Sequence, residues 1–170
     1  MKILLTGASG FLGSAILKRI LESEDWNNDL VLLGHSEKRA DKVRREFGFP
    51  VFIGDIKDRY FIDRIFNENE ISKVIHTAAI KYVSVSNDNP IATLETNVVG
   101  SYNILKKAKE FNIKDVIGVS TDKAIMPINI YGSSKRLMET MFIESGFTIV
   151  SGMNFFGSSG SVLDVWYNQM

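Results

Sequence analysis

The sequence predicts an α/β protein: a doubly wound parallel sheet of about six strands with helices on both faces. Three observations carry that expectation. Apolar runs of strand length alternate with segments of helical periodicity along all 170 residues, the pattern of parallel strands joined by crossover helices. A glycine-rich turn, Gly7-Ala-Ser-Gly10-Phe-Leu-Gly13, follows the first apolar run directly. A second polar cluster, Ser120-Thr121-Asp122-Lys123 and then Tyr131-Gly-Ser-Ser-Lys135, stands just past a later apolar run.

Taken in order, Lys2 to Thr6 is a short strand, and Phe11 to Leu21 reads as a helix with Leu12, Ile16, Leu17, Ile20 and Leu21 spaced for burial. Strand, glycine turn and helix together form the context of a dinucleotide-binding loop, which makes the fold Rossmann-like. Gly7 permits the tight turn, Gly10 lets the backbone approach a pyrophosphate, and Gly13 lets the helix pack closely. The helix N-terminus then offers free N–H groups and a positive dipole end to phosphate. The spacing is G-x-x-G-x-x-G rather than G-x-G-x-x-G, and an ordinary loop is the competing reading.

Leu30 to Leu33 is the second strand, and Lys38 to Phe47 a charged helix. In this fold an acidic residue at the end of the second strand holds the ribose 2′-hydroxyl of NAD. Here the chain reads Gly34-His35-Ser36-Glu37-Lys38-Arg39. His35 stands where the acid is expected, and Lys38 and Arg39 are near enough to meet a 2′-phosphate, which favours NADP over NAD. The alternative is that both cations merely solvate a helix start. Val51 to Ile53 is the third strand, followed by Asp55, which can accept from an adenine amino group or cap the next helix. That helix runs from Arg59 to Asn67 with Phe61, Ile65 and Phe66 inward.

The remaining elements are a strand at Lys73 to His76, one long helical region at Ile91 to Phe111 and a strand at Val116 to Ser120. A helix at Tyr131 to Glu144 and a last strand at Thr148 to Asn154 complete the pattern. The three prolines, at 50, 90 and 127, each mark an element boundary. Tyr131 and Lys135 are spaced i, i+4 and share a helix face. An ammonium beside a phenol favours the phenolate, so Tyr131 can act as a base near neutral pH. Taken alone, the pair also fits an amphipathic helix with an exposed lysine and a half-buried tyrosine.

Composition narrows the field. Hydrophobic residues make up 45% and charged residues 24%, ordinary for a globular domain, and neither a repeat nor a linker divides the chain. Residues 1–170 therefore read as one NAD(P)-binding domain. Twenty basic residues balance twenty acidic ones, so no global field recruits nucleic acid or a membrane surface. No cysteine is present, which removes disulfides and thiolate metal sites, and no metal is expected. No apolar run approaches the ~18 residues of a membrane span. The expectation is a soluble, cytoplasmic protein.

Several stretches together carry a family resemblance: Thr6 to Gly13, Gly54-Asp55, His76-Thr-Ala-Ala79-Ile-Lys81, Asn89-Pro90, Thr96-Asn97-Val-Val-Gly100, Ser120-Thr-Asp-Lys123 and Tyr131-Gly-Ser-Ser-Lys135. The chain resembles an extended short-chain dehydrogenase/reductase. More narrowly, it resembles the polysaccharide-biosynthesis branch of UDP-N-acetylglucosamine 4,6-dehydratases, including the inverting dehydratase/5-epimerases. The signature S-T-D-K-A-x-x-P-I-N-x-Y-G-x-S-K is specific, because most sugar-nucleotide dehydratases of that superfamily carry Glu where Lys123 stands.

The resemblance implies catalytic roles for five residues. Tyr131 would take the C4 hydroxyl proton as the C4 hydride leaves, with Lys135 binding the nicotinamide ribose and lowering the tyrosine pKa. Lys123 would remove the C5 proton, Asp122 would protonate the departing 6-hydroxyl, and Thr121 would hydrogen-bond the 4-oxygen. Cofactor contacts are implied at Gly7, Ser9, Gly10, Phe11, Leu12 and Gly13 in the loop. Others fall at His35, Lys38, Arg39, Asp55 and Ile56, at Ala78, Ala79 and Lys81, and at Tyr131 and Lys135 themselves. Lys81 and Asn154 would meet the UDP-sugar substrate, and Asn97 would bridge the central helix and strand. The resemblance puts His76 to Ala79 along the pyrophosphate side, while by itself His76 reads as a satisfied core histidine rather than a catalyst.

The chain also departs from the family. Ser151-Gly152-Met153-Asn154-Phe155 stands where R-Y-G-N-V is usual, and Ser159 where an arginine often follows. Family members run to about twice this length, and the substrate-binding C-terminal half is expected to be absent. Association with a second copy, or with a partner that covers the missing half, is therefore expected. Alternatives are a nucleotide-sugar 4-epimerase, which would leave Asp122 and Lys123 idle, and a non-catalytic dinucleotide-binding remnant or interaction module.

Overall fold

Six parallel strands form one sheet in the order β3-β2-β1-β4-β5-β6. The computed structural model describes residues 1–23, 29–153 and 155. The strands are β1 (Lys2–Thr6), β2 (Asp29–Gly34), β3 (Val51–Ile53), β4 (Ile71–His76), β5 (Asp115–Thr121) and β6 (Thr148–Gly152). The helices are α1 (Phe11–Leu21), α2 (Glu37–Phe47), α3 (Arg59–Glu68), α4 (Val83–Asp88), α5 (Pro90–Leu94), α6 (Ser101–Glu110) and α7 (Ile130–Glu144). A π-helical segment, Glu95–Gly100, joins α5 to α6, and a 3₁₀ turn, Asp122–Ala124, follows β5. The doubly wound α/β expectation is therefore met.

Alternation along the strands fills two apolar layers. Leu4, Val31, Leu33, Val74 and Val116 point to one face, where Ile62, Ile65, Phe66, Ile104, Leu105, Met138 and Phe142 of α3, α6 and α7 cover them. Leu5 and Leu32 point to the other, against Leu17 of α1 and Val43 of α2. The strand order reverses between β1 and β4, and the carboxyl ends of all six strands lie along one edge. In open parallel sheets that crevice is where ligands bind.

Three details differ from the expected pattern. The region expected as one helix over Ile91 to Phe111 is three segments, and α4 precedes it. Pro90 occupies the first turn of α5, where its missing N–H costs no hydrogen bond. The last strand ends at Gly152, and Asn154, like Ser159 and the 157–162 stretch, lies outside the described residues. In α1 only Gly13 and Leu17 are fully buried, because the helix lies along the sheet on a narrow stripe, and Leu21 remains 39% exposed.

Candidate active site

The glycine loop crosses the sheet edge between β1 and α1. Gly7 has φ +69, and a Cβ there would lie 2.7 Å from Thr77 Oγ1 and 2.8 Å from Ala78 N. Gly10 donates its N–H to the Gly7 carbonyl at 2.8 Å and caps α1 without any side-chain hydrogen bond. The first N–H groups of α1 thus keep their donors for a ligand, and no acidic residue stands in the first turn. A Cβ on Gly13 would strike the Gly7 carbonyl at 2.2 Å, so this glycine permits helix and loop to touch. Ser9 packs below the end of β2, its Oγ 2.7 Å from where a Cβ on Gly34 would stand. Phe11 is exposed and Leu12 half-buried on the first turn of α1. This set of bare backbone donors fits a pyrophosphate.

At the end of β2, His35, Lys38 and Arg39 are all exposed, and Ser36 caps α2 by accepting from Arg39 N. Neither Lys38 nor Arg39 has an ion-pair partner among the described residues, whereas Arg45 further along α2 pairs with Asp41 at 2.8 Å. At the end of β3, the two readings of Asp55 separate. The cap of α3 is Asp58, which accepts from Tyr60 N and Phe61 N. Asp55 instead accepts from Lys57 N at 2.9 Å in a local turn, and Lys57 Nζ bridges Asp55 (3.5 Å) to Glu95 (3.6 Å). The side chain of Ile56 is core, so only its backbone faces the edge. A hollow of about 460 Å³ opens here, lined by Asp55, Lys57, Asp58, Glu95 and Val99. It lies at the β3 end of the crevice, distinct from the Tyr131 cluster.

Past β4, Ala78 and Ala79 are half-buried and Lys81 is exposed, its ammonium 4.9 Å from the centre of the Tyr82 ring. Asn97, fully buried in the π-helical segment, fastens this loop. Its Oδ1 accepts from Ile80 N at 2.8 Å, and its Nδ2 donates to Ile80 O at 3.0 Å and to Ser134 Oγ at 2.9 Å. Ser134 donates in turn to the Tyr131 carbonyl at 2.7 Å. Asn97 therefore bridges the β4 loop and α7, a sharper role than the expected link between helix and strand.

Thr121, Asp122, Lys123 and Tyr131 come together at the end of β5. Thr121, 5% exposed, donates from Oγ1 to Asp122 Oδ1 at 2.9 Å, and Lys123 Nζ donates to the same oxygen at 3.3 Å. Asn129 caps α7 by accepting from Gly132 N, which starts the helix at the right point to present Tyr131. The Asp122 carboxyl is held below its usual range, above all by the Thr121 hydrogen bond; desolvation opposes this, and the hydrogen bonds and charge of Lys123 add to the lowering. Tyr131 is pushed above its ordinary value by burial and by the Asp122 charge, with a Thr121 hydrogen bond working the other way.

Lys135 departs from its expected geometry. Its ammonium donates to the Val119 carbonyl at 2.5 Å and lies 3.1 Å from Met138 Sδ. The cause is burial: at 4% exposure the charge takes the nearest carbonyl, and desolvation lowers its pKa to about 8 against a weaker pull from Glu139. Spacing alone missed several contributors, namely Thr6, Ser101, Asn129, Gly132 and Ser134. Ser134 sits inside the Tyr-Gly-Ser-Ser-Lys run and Thr6 is the last strand residue before the glycine loop, so position was the available signal.

A family described as "Polysaccharide biosynthesis protein" matches residues 3–170. Among curated relatives, the capsular polysaccharide biosynthesis protein CapD of Staphylococcus aureus is 32% identical over 99% of this chain and 30% of its own length. A UDP-glucose 4-epimerase of Rickettsia massiliae is 32% identical over 99% of this chain and 53% of its own. The inverting UDP-N-acetylglucosamine 4,6-dehydratase of Campylobacter jejuni is 30% identical over 95% and 51%. The chain therefore spans about half the length, or less, of these relatives. Among solved structures, Pen from Bacillus thuringiensis superposes with TM-score 0.86 at 28% identity, over 99% of this chain and 54% of that one. UDP-glucose 4-epimerase from Bifidobacterium longum, in complex with NAD⁺ and UDP, gives 0.76 at 27%, over 89% and 52%. Among the described residues no helix is long and apolar enough to cross a membrane.

Proposed function

Because the chain belongs to the polysaccharide biosynthesis protein family, we propose that it is the cofactor-binding and catalytic half of a nucleotide-sugar 4,6-dehydratase. The reaction is the conversion of a UDP-N-acetylhexosamine to its 4-keto-6-deoxy derivative, with NADP as cofactor. We place it in the cytoplasm, in keeping with a cysteine-free sequence. The observation that carries the reading is the contact of one carboxylate, Asp122, with both Thr121 and Lys123 beside Tyr131. A simple oxidation at C4 needs only Tyr131 and Lys135. A dehydration also needs a base at C5 and an acid at O6, and Lys123 and Asp122 are an amine and a carboxyl in direct contact.

The loop from Gly7 to Gly13 and the start of α1 would hold the pyrophosphate. Lys38 and Arg39 would meet the 2′-phosphate, Asp55 and the Ile56 backbone the adenine, and Ala78, Ala79, Tyr131 and Lys135 the nicotinamide end. When bound, the nicotinamide would accept the C4 hydride and return it to C6, so that the net change is loss of water. Tyr131 takes the C4 hydroxyl proton, and the carbonyl formed there acidifies the C5 proton. Lys123 removes that proton, Asp122 protonates the 6-hydroxyl as it departs, and Lys123 later returns its proton to C5. Tyr131 ends with one proton more and Asp122 with one fewer, which matches the water released.

The resting protonation states are the reverse of those needed. At 38% and 39% side-chain exposure the pair stands as Lys123 ammonium and Asp122 carboxylate. Moving one proton across their 3.3 Å contact yields an amine base and a carboxylic acid together. Covering the pair with substrate removes water from both charges and favours that neutral form. Tyr131 likewise rests protonated, and its activation requires the Lys135 ammonium to leave Val119 O for the tyrosine side. The UDP-sugar's remaining contacts, beyond Lys81 and Asn154, we assign to a second half of the kind the relatives carry, in the same chain or in a partner or second copy.

The test is incubation of the protein with UDP-N-acetylglucosamine and NADP⁺, read by mass spectrometry. A product lighter by one water, lost in Lys123→Ala and Tyr131→Phe, is the expected result. Undiminished 4-keto product in Tyr131→Phe would remove that residue from the mechanism. The relatives named as UDP-glucose 4-epimerases support a second reading, epimerisation at C4 through Tyr131 and Lys135. A product of unchanged mass, formed equally well by Lys123→Ala, would identify it. Dinucleotide binding with no turnover of either sugar would indicate a binding module.

A further inference from the structure

A buried chain of hydrogen bonds from Thr6 through His76 and Ser101 to Asn97 includes an ionisable side chain for which the chemistry above has no use. His76 is 1% exposed, and both ring nitrogens are bonded, Nδ1 to Thr6 Oγ1 at 2.7 Å and Nε2 to Ser101 Oγ at 2.9 Å. The direction of each proton follows from its neighbours. Ser101 donates its single proton to the Asn97 carbonyl at 2.7 Å, since a carbonyl can only accept. The Ser101 oxygen must then accept from His76, which puts the hydrogen on Nε2 and leaves the lone pair on Nδ1. Thr6 therefore donates to Nδ1, and its own lone pairs receive Thr77 N at 3.2 Å and Ala78 N at 3.3 Å. Burial, with the Lys135 charge nearby, keeps the ring neutral.

We propose that His76 is a positioning residue for nucleotide binding. By holding the Thr6 hydroxyl as a donor, it turns that oxygen's lone pairs onto Thr77 and Ala78 and sets the backbone that closes against Gly7. That backbone is one wall of the glycine loop, since a Cβ on Gly7 would lie within 2.8 Å of Ala78 N. A ring of the opposite tautomer would ask Thr6 to accept instead, and the Ala78 amide would compete with an imidazole N–H for the same oxygen. The chain of donors runs one way, from Ala78 through Thr6, His76 and Ser101 to Asn97. The loop geometry is thus referred to the π-helical segment that also holds Ser134 and α7.

The inference rests on the dinucleotide reading of the loop, but its core concerns the ligand-free protein. Nitrogen NMR of the free protein at neutral pH should report the Nε2–H tautomer for His76; an Nδ1–H ring would overturn the proposal. Two substitutions separate positioning from plain structural support. His76→Asn places an amide oxygen near the Nδ1 position and keeps an acceptor for Thr6, whereas His76→Gln places its amide near Nε2 and keeps only a partner for Ser101. Each loses one hydrogen bond, so a purely structural role predicts equal effects. The positioning role predicts that the Ala78 amide exchanges about tenfold faster, and NADPH binds about tenfold more weakly, in the Gln variant alone. Equal changes in both variants would overturn it. Should either fail to fold, Thr6→Val and Thr6→Ser make the same comparison, with Val impaired and Ser close to wild type. Wild-type protein that binds neither NADPH nor NADH would defeat the dinucleotide reading, while tautomer and amide exchange would still decide the role of His76.

Discussion

Gly132 shows how much of the candidate site depends on a missing atom. A Cβ there would lie 2.3 Å from the Lys123 carbonyl and 3.2 Å from Pro127 Cβ, so the 3₁₀ turn bearing Asp122 and Lys123 rests directly on the first turn of α7. Gly132→Ala must push that turn away, at about 1–3 kcal/mol of overpacking. The expected outcome is a folded protein by circular dichroism whose 4-keto product falls at least as steeply as in a direct Lys123 substitution. His76 gives a second prediction, for stability against pH. Its pKa in the folded chain is about 3 against 6.5 for the free side chain, through burial and then the Lys135 charge. An unfolded chain takes up this proton below pH 6.5 and the folded one only near pH 3. Its contribution is therefore complete above pH 6.5 and is lost as acid is added across that window, at up to about 1.4 kcal/mol per pH unit. Urea midpoints between pH 7 and 4 should fall less in His76→Asn than in wild type. Among the described residues, Thr6, Ser101, Phe142 and the charged Lys135 face the ring from neighbouring elements.

The central helical run is the element that positions most of the site. Its π-helical segment buries Asn97, which makes three hydrogen bonds, and brings Gly100 to where a Cβ would lie 2.6 Å from Ile56. Asn103, one turn on, donates to the Ile56 and Lys57 carbonyls at 3.0 and 3.1 Å. The π-helical segment and α6 together thereby hold the loops after both β4 and β3. Asn97→Leu removes the partner of Ile80 N and Ile80 O and the donor to Ser134 Oγ, which keeps its bond to the Tyr131 carbonyl, and the loss should be about 3 kcal/mol or more, seen as a lower Tm. The same substitution should speed amide exchange at Ile80 before it affects β5. Of this element, the sequence displayed the apolar spacing and the Pro90 boundary, because both are local. The π turn was hidden, since the partners of Asn97 within it, Ile80 and Ser134, lie seventeen and thirty-seven residues away in the chain. The Lys135 contact was hidden for a related reason: i, i+4 spacing gives the helix face, while the Val119 carbonyl that captures the ammonium belongs to a strand sixteen residues back. Alternation and glycine spacing, by contrast, sufficed for the six strands and the loop between β1 and α1.

At the scale of the whole molecule the two faces of the sheet are unequal, and the crevice at the carboxyl ends of the strands joins them. The face under α3, α6 and α7 carries the large core built on Phe66 and Phe142. The face under α1 and α2 rests on a small cluster around Leu17 and Val43, so α2 is held chiefly by its apolar stripe and its cap. A ligand that spans the crevice contacts the glycine loop on α1, the start of α2 and the residues past β5, and so links the weaker layer to the stronger one. Anything that binds only the folded state raises its stability by RT ln(1 + [L]/Kd), about 2.7 kcal/mol at a hundredfold excess over Kd. The increment therefore measures which dinucleotide the α2 start prefers. His35 offers no carboxylate for a ribose 2′-hydroxyl, and Lys38 and Arg39 stand exposed without an ion-pair partner among the described residues, an arrangement that suits a 2′-phosphate. At equal concentration NADP⁺ should raise Tm more than NAD⁺. Lys38→Ala combined with Arg39→Ala should erase that difference while leaving the NAD⁺ increment intact, and added salt should narrow it in wild type as the two cations are screened. An NAD⁺ increment that equals or exceeds that of NADP⁺ in the wild-type chain would mean that Lys38 and Arg39 only solvate the start of α2, and the cofactor would then be NAD.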